Sequence, residues 1–98
     1  LSGCGPAYMY MFAEALADGA VACGIPRAKA LDYAAMTMAG AAEMYLQTKE
    51  HPGALKDAVC SPGGATIQGV YALEEGGLRD LTVCAVDAAY KRTLEMKQ

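Results

Sequence analysis

From Tyr33 to Leu46 the chain carries one charged residue, Glu43. This stretch lies inside a helix-forming run that Pro26 opens as first residue and that reaches about Gln47. A helix of that length spans ~30 Å, more than a chain of 98 residues needs inside itself. It is apolar on most of its circumference, so most of that circumference has to be covered. The composition sharpens the constraint, with 54% hydrophobic residues against 19% charged. A single small domain buries only ~60–70% of the surface its unfolded chain exposes. The interior is therefore too small for the apolar groups present, and the expected fold is an all-α helical bundle that interlocks with a second copy as a dimer. The long helix is its spine.

The remaining elements follow from periodicity and punctuation. Pro6 begins a helical pattern running to about Cys23, with Tyr8, Met11, Phe12, Ala15, Leu16, Gly19 and Ala22 at helical spacing. Glu14 and Asp18 mark its wet side. Gly24 stops it before Pro26 starts the next. A polar turn over 48–53 leads to a short helix from about Ala54 to Val59. A fourth helix should start within Ser61–Thr66 and run to about Glu75, closed by Gly76-Gly77. The last, about Leu78 to Lys97, is amphipathic: Leu81, Cys84, Ala85, Ala88 and Ala89 form the dry face, Asp80, Asp87, Lys91 and Glu95 the wet one. Asp87 and Lys91 stand four apart in the favourable order. The methionines at 9, 11, 36, 38 and 44 read as filling between Ala-rich helices.

Charge and cysteine use exclude several function classes. The net charge is −3 and the pI about 4.9, which leaves no basic surface to neutralise phosphates, so no nucleic-acid partner is expected. The longest uncharged stretches, Leu1–Ala13 and Ala58–Leu73, fall short of the ~17–25 residues of a membrane helix, so no membrane partner is expected. No charged n-region precedes an apolar core at the start, so no signal peptide is expected, and without an initial Met the chain reads as a fragment of something longer. Cys4, Cys23, Cys60 and Cys84 include no C-x-x-C pair. They read as small core hydrophobes in a reducing compartment, the cytoplasm. Asp57, His51 and Cys60 have no metal-ligand spacing, and no metal is expected.

Two local motifs carry chemistry. Gly3-Cys4-Gly5-Pro6-Ala7-Tyr8 resembles the first two glycines of a dinucleotide fingerprint, but Tyr8 holds the third position, Pro6 intrudes and no strand precedes it. It reads as a helix entry. Ser61-Pro62-Gly63-Gly64-Ala65-Thr66 is different. Ser-Pro suits a helix start, whereas two glycines behind it each weaken a helix by ~1 kcal/mol relative to Ala. One reading is close approach: bare backbone N–H groups at a helix N-terminus, which favour a carboxylate or phosphate, with the Thr66 hydroxyl beside the bound anion. The other is a tight turn with a tidy cap. Glu74-Glu75 read as solvated surface, and Glu50 and His51 as loop residues.

These residues also carry a resemblance. Leu1-Ser2-Gly3-Cys4-Gly5-Pro6-Ala7-Tyr8 is similar to the start of the C-terminal domain of pyrroline-5-carboxylate reductases. The similarity continues through Glu14–Gly19, Gly24-Ile25-Pro26-Arg27, His51–Asp57, Ser61–Ile67 and Leu73–Arg79, in order along nearly the whole chain. The resemblance implies that residues 1–98 are a C-terminal helical dimerisation domain, following an N-terminal Rossmann domain that is not in this chain. It further implies reduction of 1-pyrroline-5-carboxylate to L-proline, the last step of proline biosynthesis. NADPH or NADH would be bound mainly by that other domain, with no cofactor-binding residue in this chain. The partners implied are that small molecule and a second copy, as a homodimer or a larger homo-oligomer. Carried over by position, Ser61, Gly63, Gly64, Ala65 and Thr66 hold the substrate carboxylate. Thr66 is the catalytic residue, its hydroxyl meeting the ring nitrogen, and Glu50 matches an acidic position ahead of the His51-Pro52-Gly53 turn. Many relatives carry threonine where this chain has Ala65.

Two other readings compete: a helical dimerisation scaffold without activity, and a related imine reductase. The intact Ser61–Ile67 block argues against both, since a scaffold alone has no evident need for two glycines at a helix start. Without a nucleotide fold, the fragment by itself is expected to be inactive. It should nevertheless dimerise alone, with twice the chain mass in light scattering at micromolar concentration. A well-folded monomer there would overturn the dimer reading.

Overall fold

The computed structural model describes residues 1–97 and is helical throughout, with no strand among the described residues. The all-α expectation is met. The five helices are α1 (Gly5–Ala22), α2 (Arg27–Thr48), α3 (Pro52–Ala58), α4 (Ala65–Glu75) and α5 (Leu78–Met96). They fall into two units, the first Leu1–Pro52 and the second from Gly53 onward.

The first unit is a hairpin of α1 on α2. Its seam is built from small side chains: Ala17, Ala30 and Ala34 are 0%, 1% and 7% exposed, and they are the buried hydrophobic residues among those described. Alanine on both sides lets two helix backbones approach closely. The buried stripe of α1 is therefore rotated from the one expected. Ala17 stands at its centre, Tyr8 and Phe12 are half-buried, and Met11 is 69% exposed. A sequence gives the period of a stripe, but the neighbouring helix decides its phase.

The turn between the two helices is fixed by backbone bonds. Ile25 N–H donates to the Ala20 carbonyl at 3.0 Å and Gly24 N–H to the Val21 carbonyl at 3.0 Å. This double closure needs a left-handed residue at its corner, and Gly24 has φ +110°. Pro26 stands just outside α2 as its N-cap rather than as its first residue, and the N–H groups of Lys29 and Ala30 donate to its carbonyl. Arg27 Nη1 meets Asp18 Oδ1 at 2.6 Å across the hairpin. Both side chains are exposed, so this pair contributes at most ~1 kcal/mol.

Beyond Ala34 the spine helix is bare. Met38 is half-buried, and every residue from 39 to 48 is exposed. Met36 is 69% exposed, and Met9, Met11 and Met44 are exposed with it, so the methionines do not fill a core within this chain. The cysteines correct the expectation in the same way: all four are free thiols, Cys60 partly covered and Cys4, Cys23 and Cys84 exposed.

Helix α3 begins at Pro52, the last residue of the first unit, two residues earlier than expected, because proline suits a first helical turn. Helix α4 packs on α5, and Arg79 Nε meets Glu74 Oε1 at 2.8 Å across their junction. The expected Asp87–Lys91 pair forms at 3.0 Å. The expected dry face of α5 is not covered, however. Leu81 is 65% exposed, Cys84 and Ala88 are exposed, and only Ala85 and Ala89 are half-buried. No residue of α3, α4 or α5 is buried. Among the described residues no helix is long and apolar enough to cross a membrane.

Gly24→Ala should lower stability by about 1–2 kcal/mol, because it forces a side chain into the left-handed region. Thermal unfolding at fixed protein concentration would show the lower midpoint; an unchanged one would mean that the turn relaxes freely.

Candidate functional site

The Ser61–Thr66 segment folds as a turn followed by a helix start. Gly64 N–H donates to the Ser61 carbonyl at 3.0 Å, closing a four-residue turn with Pro62 and Gly63 at its corners. Proline's fixed φ suits the first corner, and the second needs positive φ, the type II arrangement. Gly63 supplies it at φ +68°. The left-handed corner prevents a helix from starting at Ser-Pro, so α4 begins at Ala65 with Gly64 as its N-cap. Ser61 is thus not the helix cap expected from the sequence. The x-Pro-Gly-x signal for this turn was present in the chain, and it accounts for Gly63 without a ligand.

Gly64 has a different reason. Its φ of −82° and ψ of 175° are ordinary extended backbone. A side chain there would meet the Ser61 hydroxyl and come within 3.3 Å of the Ser61 carbonyl oxygen. The second glycine therefore makes room for Ser61.

No side chain caps α4, and its first turn carries no acidic residue. The N–H groups of Ala65, Thr66 and Ile67 accordingly have no partner within the helix. They form a patch of partial positive charge at the end of the helix dipole. Thr66, Ser61, Gly63 and Ala65 are exposed and Gly64 is partly covered. Two hydroxyls and three N–H donors thus gather on one short segment, a set able to hold a carboxylate. Ser61, Gly63, Gly64, Ala65 and Thr66 come together here by local folding alone.

Glu50 belongs to the first unit, on the exit from α2. Lys49 turns the chain there in the left-handed region with φ 57°, its ammonium 5.6 Å from the Tyr45 ring centre. The Thr48 hydroxyl donates to the Met44 carbonyl at 2.8 Å and accepts from Glu50 N–H at 3.2 Å. These bonds fix the Glu50 backbone and leave its side chain exposed.

Two shallow grooves lie elsewhere. One, between α1 and α2, includes Tyr10, Met11, Leu31 and Asp32; the other, in the second unit, includes Lys56, Val70, Leu73 and Thr82. Neither contains any residue of the turn. Among the described residues no group of three or more His, Cys, Asp or Glu is placed to hold a metal ion.

Comparison with known proteins gives a consistent result. A family model described as pyrroline-5-carboxylate reductase dimerisation matches residues 1–96. The chain is 56% identical over 96 residues to a pyrroline-5-carboxylate reductase of Glycine max, covering 98% of this chain and 35% of that protein. It is similar in structure to the pyrroline carboxylate reductase of Plasmodium falciparum solved with NADP bound, with a TM-score of 0.94 and 37% identity. That match covers 99% of this chain and 37% of the other. A pyrroline-5-carboxylate reductase from Coxiella burnetii gives a TM-score of 0.93 at 41% identity, over 97% of this chain and 35% of that one. The chain thus spans about a third of the length of the curated relatives it matches. With a match from end to end in sequence and in fold, this chain belongs to the pyrroline-5-carboxylate reductase dimerisation family.

Proposed function

We propose that this chain is the helical dimerisation and substrate-binding part of a reductase that converts 1-pyrroline-5-carboxylate to L-proline with NADPH or NADH, completing proline biosynthesis. Residues 1–98 follow an N-terminal Rossmann domain in that protein. The observation that carries the reading is the uncapped N-terminus of α4, with the free N–H groups of Ala65–Ile67 beside the hydroxyls of Ser61 and Thr66.

The chemistry of the substrate fits this set. Its carboxylate hangs from the ring carbon next to the imine nitrogen, so groups gripping both must stand within about one helical turn. Ser61, Gly63, Gly64 and Ala65 form the loop around the carboxylate, which takes hydrogen bonds from the open N–H groups. Reduction of the C=N bond places an electron pair on the ring nitrogen. The Thr66 hydroxyl is the donor this chain offers there, stabilising that nitrogen as it gains its proton. Holding both ends of the substrate orients the imine carbon. Glu50, which lies in the first unit, enters the proposal as a substrate-binding residue through the resemblance alone.

The described residues include no strand–turn–helix unit for a dinucleotide, and we assign the cofactor mainly to the other domain. When bound, the nicotinamide supplies the hydride. The exposed apolar residues of α2 and α5, among them Met36, Leu46 and Leu81, support a homodimer or a larger homo-oligomer. A dimer in which the two copies interlock would cover both helices. Four free thiols suit the reducing cytoplasm.

One observation favours a second reading, a helical scaffold without activity: the turn and the Ser61 hydroxyl account for both glycines without any ligand. NADPH oxidation by the full-length protein with 1-pyrroline-5-carboxylate separates the two. The parent should turn over, and Thr66→Ala should lose ~10²-fold or more in rate. Turnover that survives the substitution would remove Thr66 from the chemistry. A folded, cofactor-binding but inactive parent would favour the scaffold or a reductase of another imine.

A further inference from the structure

Gly40 stands in the middle of α2, where glycine weakens a helix more than any residue except proline. Its backbone is helical, not left-handed, so no special φ demands it. A side chain at 40 would meet nothing within 4 Å, so nothing packed on α2 in the first unit needs the space either. The reason that remains is an approach from outside.

The surroundings of Gly40 fit that reason. Met36 and Met44 lie one turn to either side on the same line of the helix, 69% and 53% exposed. The bare backbone is thus the floor of a notch between two flexible apolar side chains, which adapt to irregular contacts. Gly19 and Gly69 are open as well, but neither lies between two large apolar residues in this way. The polar groups around the notch already have partners along the helix. The Thr37 hydroxyl donates to the Tyr33 carbonyl at 2.7 Å, and Gln47 Nε2 donates to Glu43 Oε1 at 2.8 Å. Covering the notch would therefore strand neither the hydroxyl nor the amide.

The occupant must be as apolar as this face, which carries one charge between Tyr33 and Leu46. A second copy meets that condition, because a two-fold dimer presents the same surface from both sides, and the chain belongs to a dimerisation family. We infer that a second copy of this chain packs on α2 at Gly40, where the absent side chain lets a helix of that copy approach the α2 backbone. The inference rests on the homodimer proposed above and deepens it by locating a point at which the copies meet.

The test is sedimentation velocity on the full-length protein, fluorescently labelled and diluted from micromolar to nanomolar, with thermal unfolding at two protein concentrations. Gly40→Ala and Gly40→Leu are compared with the parent. Alanine at 40 strengthens the helix of an isolated chain, so weakened association would have the opposite sign to helix propensity. Gly40→Ala should raise the concentration of half-dissociation about tenfold, the scale of overpacking a tight contact. Gly40→Leu should leave the protein monomeric at micromolar concentration; should it unfold instead, the alanine variant decides alone. A Gly40→Ala protein that associates as tightly as the parent and unfolds at a higher temperature would overturn the inference. So would a midpoint lowered equally at both concentrations with association unchanged, which would mean that another part of the same chain covers Gly40. A parent that is monomeric throughout would overturn the proposed homodimer and this contact with it; a dimeric parent indifferent to both substitutions would overturn the contact alone.

Discussion

The seam between α1 and α2 is built on buried alanines. Ala17, Ala30 and Ala34 let α1 and α2 approach until their seam excludes water, and the phase of every other side chain on the hairpin follows from that contact. A seam of such small groups buries little apolar area, at ~25 cal/mol per Å². It orients two helices without satisfying their larger residues. Tyr10, Met11, Met36, Tyr45 and Leu46 remain in water, and α3, α4 and α5 bury no residue fully. The chain forms secondary structure with most of its hydrophobic surface still unspent. That is the condition expected of a subunit whose core is completed by another copy, and membership of a dimerisation family agrees with it.

The candidate site answers to the opposite physics. It needs no deep burial, because its donors come from backbone geometry. Pro62 and Gly63 turn the chain, Gly64 ends the turn in extended conformation, and α4 then begins with its N–H groups unclaimed. Each step is local, so the donors are arranged before any partner arrives. What the turn lacks is walls. An exposed turn offers donors to an anion, but the proposed reaction at an imine carbon also needs water kept out. The proposed function therefore calls for walls from outside this chain, from a nucleotide domain or a second copy.

The glycine pair shows how far reasoning from residues carries. Two adjacent glycines at a helix start were legible as a cost that required a reason, and close approach was one of two reasons considered. The structure assigns a separate reason to each: positive φ at Gly63, room for the Ser61 hydroxyl at Gly64. The second depends on a side-chain position three residues away, which no propensity encodes. Likewise Ser61 read as a cap, because Ser-Pro commonly starts helices, and it lost that role when the turn displaced the helix start to Ala65.

The sequence by itself determined the helices, with ends marked by Gly24, Pro26 and Gly76-Gly77, and it determined that α2 could not stand in water alone. These are short-range consequences of backbone sterics and of hydropathy summed along a helix. Only the tertiary structure decided that Ala17 rather than Met11 or Leu16 lies at the hairpin seam, and that the dry face of α5 stays open within one chain. Burial is a property of pairs of surfaces. A periodic stripe says that a helix has something to hide, while the direction in which it hides is set by the shape of whatever packs against it.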